Sequence, residues 1–473
     1  MPDLDIVADH EPPSAPNTLN ARNPYLNGIY APVHRELTVR NLDVIGEIPH
    51  DLSGVFVRNG PNPKEMPTGM HHWFDGDGML HAIHIEDGRA TYRNRYIRTS
   101  QMNRRDGGIF EPNPGTYRDT ANTDIVCHNG ELMALWYVSG QPVRLDPVTL
   151  ETFRSENFGG KLPGNVSAHS KVDPNTGEFI WFDYALYEPH YTYGVVNGAG
   201  EMTHITRIDL PGPRLPHDMA ITEHHSILMD LPVVFTEAGR KHKVWHIHQD
   251  ETLPTRFGVI PRHGDGQSIR WFSFPPCYIY HVVNAWEEGD EIVLMACRMV
   301  DNGLSLDPEL GPYAAMSNVL SLRAHLWEWR MNLKTGATKE RQVDDSMAEF
   351  PVVNLGITGR QSRYSYHGAI ADLPLQAFDG LLKYDLKRGT HERHDFGPNR
   401  YGCEPAFAPR LDGSGEDDGY VISFVSDAVE GRSEALILDA RNFSDEPLAR
   451  IQLPQRVPQG FHATWVTPEE MRP

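Results

Sequence analysis

The sequence is short of positive charge. Lys and Arg total 43 against 64 Asp and Glu in 473 residues, which gives a formal net charge of −21. A chain this negative repels phosphate backbones at long range, so we expect no nucleic acid partner. The net charge still allows a local apolar patch to touch a lipid surface.

Cysteines and long apolar runs are also scarce. The four cysteines form no CxxC pair, which predicts no disulfide framework and a reducing compartment; they are Cys127, Cys277, Cys297 and Cys403. No stretch approaches the roughly 18 apolar residues of a membrane-spanning helix. The acidic, Pro-rich start, MPDLDIVADHEPPSAPN, lacks the features of a secretory signal. These absences predict a cytoplasmic protein whose residues 1–25 form a flexible arm.

From about residue 25 onward, short apolar or β-branched runs alternate with turns that contain Gly, Asp or Asn. IVCHNGELMALWYV and NAWEEGDEIVLMACR each place two strand-like runs around such a turn. Related turn motifs recur with irregular spacing at Asp146, Asp173, Asn332 and Asp385. The pattern predicts an all-β protein of repeated hairpins, with a β-propeller and a pair of β-sandwiches as the alternatives.

Two segments interrupt the hairpin pattern, at about residues 100–120 and 301–325. The second segment includes AAMSNVLSL, which has some helical character. Long insertions on an all-β frame usually form caps or binding loops. We therefore expect one domain over residues 26–473, with these insertions at its functional face.

Histidine is abundant, with 24 in the chain, whereas no Gly-rich phosphate loop, GxSxG elbow or HExxH helix is present. Four histidines lie at the start of or inside strand-like runs with small or apolar neighbours: His169, His217, His281 and His462. Such side chains point inward, and a buried imidazole needs a partner. Neutral imidazole binds Fe, Cu, Zn and Ni, and ligands this far apart fit a closed ring of segments. The alternative is that they are core histidines bonded to backbone carbonyls.

The remaining histidines are interpreted as structural or exposed. His246 and His248 share one face of a strand, which is typical of an exposed polar face. The adjacent pairs at 71–72 and 224–225 are expected to point apart on a strand. We therefore assign no ligand role to any of them.

Two long motifs carry a family resemblance, GVFVRNGPNP (54–63) and HHWFDGDGMLHAIHIEDGRATYRNRYIRT (71–99). The four histidine contexts, NVSAHSKVDPNTGE, LPHDMAITEHH, CYIYHVVNAWEEGDEIVL and VPQGFHATWV, carry it as well. From about residue 25 to the C-terminus the chain resembles the carotenoid cleavage oxygenases. That family also includes lignostilbene dioxygenases, isoeugenol oxygenase and the retinoid isomerase of the visual cycle.

The resemblance implies a seven-bladed β-propeller under a helical and loop dome, with Fe(II) on its axis. Its four ligands map onto His169, His217, His281 and His462. It also implies glutamates behind three of the ligands, and two of these map onto Glu349 in AEFPVVN and Glu404 in CEPAFAPR. The third position holds Tyr137 in LMALWYVSGQP. Thr123 in ANTDIV matches the family threonine whose methyl group crowds one open coordination position.

The implied activity is cleavage of a C=C double bond by O2 to give two carbonyl products. Four neutral ligands leave two adjacent octahedral positions open, and the alkene would lie beside them in an apolar tunnel. Family members that act on 4-hydroxystilbenes or isoeugenol carry a Lys directly before the glutamate, to engage the phenol oxygen. This chain has Trp136 there, which favours a carotenoid or apocarotenoid.

Three alternatives remain at this stage. The same chemistry could act on a stilbene or phenylpropene, and the same scaffold could isomerise and hydrolyse a retinoid-like ester. A metal-free propeller could serve as a binding module. Because a carotenoid resides in lipid, we also expect a peripheral membrane contact, with 301–325 as the candidate region.

Overall fold

Seven antiparallel sheets surround one axis in the computed structural model. The structure describes residues 2–10, 22–67, 71–102, 118–237, 241, 247–300 and 322–472. Five of the sheets are separate, and a ten-stranded sheet contains the last two, which are joined by the short strand β29 (Arg400–Gly402). A separate two-stranded hairpin accompanies the fourth sheet.

The first three sheets cover the N-terminal part of the chain. The first contains β1 (Asp3–Asp9), β2 (Arg35–Arg40), β4 (Gly54–Pro61), β5 (Gly78–Glu86), β6 (Arg89–Tyr96) and β34 (Ala463–Val466). The second contains β7 (Asp124–His128), β8 (Glu131–Leu135), β9 (Val143–Leu145) and β10 (Thr152–Ser155). The third contains β11 (Lys171–Val172), β12 (Phe179–Tyr184), β13 (Tyr191–Val196) and β14 (Met202–Arg207).

The other four sheets follow in chain order. The fourth contains β15 (Ala220–Ile221), β16 (His225–Asp230), β19 (Thr255–Pro261) and β20 (Arg270–Phe274), with the hairpin β17 (Val233–Phe235) and β18 (Ile247–Gln249) beside it. The fifth contains β21 (Ile279–Glu288), β22 (Glu291–Met299), β23 (Ala324–Asn332) and β24 (Thr338–Gln342). The sixth contains β25 (Ala348–Val352), β26 (Tyr364–Ile370), β27 (Phe378–Asp385) and β28 (Thr390–Asp395). The seventh contains β30 (Ala406–Pro409), β31 (Gly419–Asp427), β32 (Arg432–Asp439), β33 (Ala449–Gln452) and β3 (Val44–Gly46).

The ring is closed by strands from both ends of the chain. The C-terminal β34 pairs with β4 in the first sheet, and the N-terminal β3 pairs with β33 in the seventh. One strand from each sheet lines a common channel: β34, β7, β11, β15, β21, β25 and β30. Seven sheets around one axial channel are a seven-bladed β-propeller, as predicted.

Within the blades, strands near the axis are buried and the outermost strands are exposed. β4 is buried along its whole length, and β22 is buried over most of its length. The outer strands β24 and β28, with sequences TKERQ and THERHD, are mostly exposed. Charged residues therefore stop the blade edges from pairing with other sheets.

The predicted hairpin turns form where expected. The amide of Gly177 donates to the carbonyl of Asp173, and the amides of Gly336 and Gly389 make the same bond to Asn332 and Asp385. The Asp146 motif closes in the same way with Leu150. All four cysteines are unpaired, as predicted.

Part of the predicted N-terminal arm is ordered, so that prediction is wrong for Asp3–Asp9. These residues form β1, an edge strand paired antiparallel with Arg35–Arg40. The Pro-rich composition that suggested an arm lies mainly in 11–21, outside the described residues. Most of the 301–325 insertion, with its predicted helical character, also lies outside them, so the single-domain boundary stays a prediction.

Short 3-10 helices punctuate the blades, at Pro24–Leu26, Gly28–Tyr30, Trp73–Asp75, Gly266–Ser268 and Leu355–Ile357. Apolar side chains fill the spaces within and between sheets, the largest cluster joining the second to fifth blades. In the described part of the chain, no helix has the length and apolar content needed to cross a membrane.

Candidate metal centre

The four predicted histidines meet on the propeller axis. His169, His217 and His462 come just before β11, β15 and β34, and His281 lies near the start of β21. Each therefore stands at the end of a strand that lines the channel, and all four are between 4% and 6% exposed. Segments nearly 300 residues apart in sequence converge because the ring brings their strands to one axis.

The distances between the rings suit a shared ligand site. The centroid of the His169 ring lies 4.7 Å from that of His217, 5.0 Å from that of His281 and 4.4 Å from that of His462. One nitrogen from each of His169, His281 and His462 lies within 4.8 Å of the others. His217 is outside that compact set, but its ring centroid is 5.2 Å from that of His281.

Two glutamates stand directly behind two of the histidines. Glu349 accepts a hydrogen bond from Nδ1 of His281 at 2.6 Å, and Glu404 accepts one from Nδ1 of His462 at 2.9 Å. Both carboxylates are buried, and each also accepts a backbone amide, from Phe350 and Ala463 respectively. These bonds fix the rings so that Nε2 faces the cluster.

The sequence did not predict the role of two buried aspartates, which accept hydrogen bonds from backbone amides at or next to the site histidines. The Oδ2 of Asp124 accepts the amide of His169 at 2.9 Å, and the Oδ2 of Asp218 accepts the amide of Val282 at 2.7 Å. Each bond ties adjacent blades together beside a histidine. The only available signal was their position directly after Thr123 and His217, where a buried charge needs partners.

Local backbone irregularities aim the site residues. His169 has a φ of 64°, in the left-handed region that costs a non-glycine residue about 1 kcal/mol or more. The β21–β22 register shifts next to His281, and the β25–β26 register shifts just after Glu349. Such bulges turn a side chain out of the regular alternation and are common at functional sites.

Burial keeps three of the imidazoles neutral. It lowers the pKa of His169 and His281 well below the usual value and that of His217 to about 3, and the other histidines of the cluster add to the effect. Burial also acts on His462, but the Glu404 carboxylate outweighs it and raises the pKa of that ring. Neutral imidazoles are ready to act as ligands without first losing a proton.

The third predicted glutamate position has no carboxylate. Tyr137 lies there, with its ring centroid 4.3 Å from that of Phe74. Nδ1 of His217 has no hydrogen-bond partner among the described residues, although it is buried. His217 instead packs edge-on against Tyr280, with 5.0 Å between the ring centroids.

An apolar cavity lies on the side of the histidines that faces away from the channel. It measures about 20 Å³, and aromatic rings form most of its wall; its lining includes Trp73, Phe74, Tyr137, Tyr280, Phe350 and Phe461. Thr123 also lines it, and its hydroxyl is engaged with Asn122 and with the amide of Tyr137. Thr123 and Tyr137 therefore line the same cavity as three of the histidines, and their role in binding a substrate or O2 stays a prediction.

Trp136 does not share that wall. It lines a second cavity of about 490 Å³ together with Tyr184, Leu186, Leu215 and Phe235. Trp136 directly follows β8 and Tyr137 lies in the turn after it, and the two side chains face different cavities. The predicted pocket residues are therefore divided between two cavities.

Among the described residues, no other histidine lines the channel or the aromatic cavity, but one pair departs from its prediction. His248 is exposed on β18, and His246 lies outside the described residues. His224 and His225 do not point apart, since Nδ1 of each contacts the Glu287 carboxylate, at 2.9 Å and 3.1 Å. The prediction for that pair is wrong because His224 lies in the bend before β16 and His225 is the first residue of that strand, so the two do not alternate within a regular strand.

The residues on the axis fit a metal ion. Nε2 of His169 and of His281 are buried and have no hydrogen-bond partner in the part of the chain that the structure describes, which is costly unless a cation or a hydrogen-bond donor contacts them. Four imidazole nitrogen donors, two of them on rings with a carboxylate behind them, suit Fe, Co, Ni, Cu or Zn rather than Mg or Ca. The cluster therefore suits a metal ion both by its geometry and by its donor type.

Comparison with known proteins identifies the family. The family model described as retinal pigment epithelial membrane protein (RPE65) matches residues 30–467. Carotenoid 9,10(9',10')-cleavage dioxygenase of Crocus sativus is 38% identical, over 95% of this chain and 90% of its own length. Isoeugenol monooxygenase of Pseudomonas nitroreducens is 32% identical, over 95% and 99% respectively. The crystal structure of Pseudomonas brassicacearum lignostilbene dioxygenase matches with a TM-score of 0.84 at 27% identity, over 96% of this chain and 99% of that one.

These matches run over nearly the whole chain and agree with the fold. The chain belongs to the RPE65 and carotenoid cleavage oxygenase family. It is an oxygenase, and its relatives act on alkenes of the polyene or aromatic type. The resemblance inferred from the sequence motifs is confirmed.

Proposed function

We propose that this protein is an Fe(II)-dependent dioxygenase that cleaves a C=C double bond of a carotenoid or apocarotenoid. The observation that supports the proposal is the cluster of four buried imidazoles, three of which have a ring nitrogen without a hydrogen-bond partner among the described residues. His169, His217, His281 and His462 would hold the iron. Glu349 and Glu404 would hold the rings of His281 and His462 in the binding tautomer.

Iron would supply the reactivity towards O2 that the protein side chains lack. Ferrous iron, when bound, lets O2 react with a closed-shell alkene. Four neutral ligands leave its full double positive charge uncompensated, in contrast to sites that contain thiolate or carboxylate ligands. This distinction favours an oxygenase with open coordination positions over a closed structural zinc site.

The protein side chains would position the alkene and keep water away. The cavity next to His217, His281 and His462 is walled by aromatic rings, and its volume of about 20 Å³ suits a molecule of about the size of water or O2, so the alkene would have to lie against this wall rather than inside the cavity. The Thr123 hydroxyl is already hydrogen-bonded, and the carboxylates of Glu349 and Glu404 face the histidines. No acid or base is needed, because R–CH=CH–R' and O2 give R–CHO and R'–CHO with all atoms and electrons balanced.

A polyene substrate is favoured by the lining near Trp136. This residue stands where family members that act on phenolic substrates carry a lysine, and its surroundings include Tyr184, Leu186, Leu215 and Phe235. The one lysine or arginine among the lining residues is Arg214, whose guanidinium already pairs with Asp230 at 2.8 Å, so the wall favours apolar contact with a polyene over binding of a phenolate. The plant relative is named for the 9,10 and 9',10' bonds, so those bonds are the first to test.

The second candidate is the same reaction on an aromatic alkene. It is favoured by the isoeugenol relative, whose length matches this chain almost completely, and by the lignostilbene dioxygenase structure. A substrate without a free phenol, such as a methoxystilbene, would need no lysine. Retinoid ester isomerohydrolysis remains a third reaction for the same scaffold.

A product assay under 18O2 separates these reactions. Protein loaded anaerobically with iron is given apocarotenals, stilbenes and isoeugenol in parallel, and the products are identified by mass spectrometry. The proposal predicts aldehyde products from the polyenes, with one labelled oxygen in each of the two fragments. Turnover of hydroxystilbenes with no reaction on any polyene would refute the substrate class, and unlabelled products would refute the dioxygenase.

The matched variants for this assay are His281→Ala and His248→Ala. His281 belongs to the cluster, whereas His248 is exposed on a distant hairpin. We expect loss of iron and of activity in the first variant and no change in the second. Activity that persists in His281→Ala would contradict the proposed ligand set.

A further inference from the structure

A second, chemically different space reaches the histidines along the propeller axis. This axial channel measures about 420 Å³, and strands from all seven blades line it. Its carboxylates are Asp124, Asp218, Glu404 and Glu470, and Lys171 is the one lysine or arginine among its lining residues. The channel is therefore net negative, in contrast to the aromatic cavity on the opposite side.

The channel runs from solvent to the candidate metal centre. At its outer end Glu470 is exposed, and Leu355 is 44% exposed. At its inner end it is lined by His169, His281 and His462. The unpartnered Nε2 atoms of His169 and His281 belong to rings at this inner end.

The two sides of the centre offer very different paths to a hydrated cation. The aromatic cavity of about 20 Å³ would strip water from the ion without replacing it, which is costly. Carboxylates along the channel attract the ion and replace lost water contacts. The free-energy barrier that a cation must cross to reach the histidines is therefore lower on the channel side.

Resting on the proposed metal centre, we infer that the divalent metal ion enters and leaves through the axial channel. Substrate and metal then use opposite faces of the histidine ring. Lys171 acts as a barrier near the inner end, where its Nζ is 2.7 Å from Oδ1 of Asp218. An ion that moves along the channel to the histidines must either displace the Lys171 ammonium group from Asp218 or pass beside the intact ion pair.

The route can be measured as the rate of cobalt binding to the metal-free chain. Co²⁺ binds nitrogen sites in the same geometry class as iron and is followed directly by its visible absorption in a stopped-flow instrument. No substrate and no turnover are involved. Binding of one Co²⁺ per chain is a precondition, and its absence would refute the proposed metal centre itself rather than the route.

A pair of neighbouring glutamates provides the charge test. Glu470 lines the channel, whereas the adjacent Glu469 is also exposed but does not line it. Glu470→Lys and Glu469→Lys change the net charge equally. We expect Glu470→Lys to slow association about five- to tenfold at about 10 mM salt and about twofold at about 150 mM, since screening shortens the reach of the charge. Equal slowing by the two variants would overturn the inference.

A blocking variant tests the path itself. Val172, on β11, lines the channel, and Val172→Trp narrows it without touching a ligand. Leu322→Trp fills the aromatic cavity instead. We expect Val172→Trp to slow association and dissociation together by about tenfold or more, with the Kd within about twofold. Unchanged rates in a folded Val172→Trp, or slowing by Leu322→Trp alone, would place the route on the other face. If either variant fails to fold, the comparison of Glu470→Lys with Glu469→Lys still tests the route of the metal ion.

Discussion

Replacing Glu349 by Gln isolates what one buried charge does for the metal. Glu349 is fully buried, and its Oε2 accepts the Nδ1–H of His281 at 2.6 Å. A divalent cation at the other ring nitrogen favours the ionised carboxylate, so this bond is charge-assisted in the loaded protein. Such bonds contribute about 1.5–3 kcal/mol, and bonds to a neutral amide about 0.5–1.5 kcal/mol.

The difference, about 1–2 kcal/mol, corresponds to about a 5- to 30-fold weaker metal affinity. Loss of such a partner in known metal sites weakens binding about 10- to 100-fold, in the same range. Competition between the protein and a chelator for Co²⁺ measures the affinity without turnover. Glu416→Gln is the control, because that carboxylate likewise accepts backbone amides, from Arg363 and Tyr364, but has no hydrogen bond to a histidine among the described residues. An unchanged Kd in Glu349→Gln, or an equal loss in the control, would refute the role given to Glu349.

Three other predictions test the neighbouring features. Tyr137→Glu supplies a carboxylate at the position where the family has one, so we expect tighter Co²⁺ binding by the same competition assay, with Tyr137→Gln as the neutral control. Trp136→Lys places a cation in the second cavity, and we expect turnover of hydroxystilbenes to rise relative to apocarotenals when both are measured as initial rates. Burial lowers the pKa of His71 and His367 to about 3 and that of His128 to about 4, against an unfolded value near 6.5. Below pH 6.5 the unfolded chain therefore binds more protons than the folded chain. The free energy of unfolding then decreases as the pH is lowered, by about 1.4 kcal/mol per pH unit for each histidine and about 4 kcal/mol per pH unit for the three together. Urea unfolding between pH 7 and pH 5 measures this slope, and a flat profile would contradict the burial of these rings.

Sequence patterns identified the blades but not their number. The turn motifs at Asp146, Asn332 and Asp385 close the outermost hairpins of three blades, whereas that at Asp173 closes an innermost hairpin, between β11 and β12. The fourth blade also carries an extra hairpin, and the fifth contains the insertion between β22 and β23. Regular blades therefore produce irregular spacing, and only the family resemblance predicted seven of them.

The sequence predicted the site residues whose type is distinctive. It did not predict those whose role depends only on geometry. Histidines in apolar strand contexts stand out, because burying an imidazole requires a partner. Asp124 and Asp218 have no such distinction, since their role depends on which backbone amide of the next blade lies opposite. The separation of Trp136 from Tyr137 likewise depends on the direction of each side chain at the end of β8.

X-ray absorption spectroscopy of the iron-loaded protein tests the central claim most directly. The account predicts one iron per chain with four imidazole nitrogens at about 2.1 Å and no sulfur ligand. It also predicts that His169→Ala lowers the imidazole count or abolishes binding. A spectrum with one or two imidazoles, or one unchanged by that substitution, would show that the metal lies elsewhere and would contradict the account.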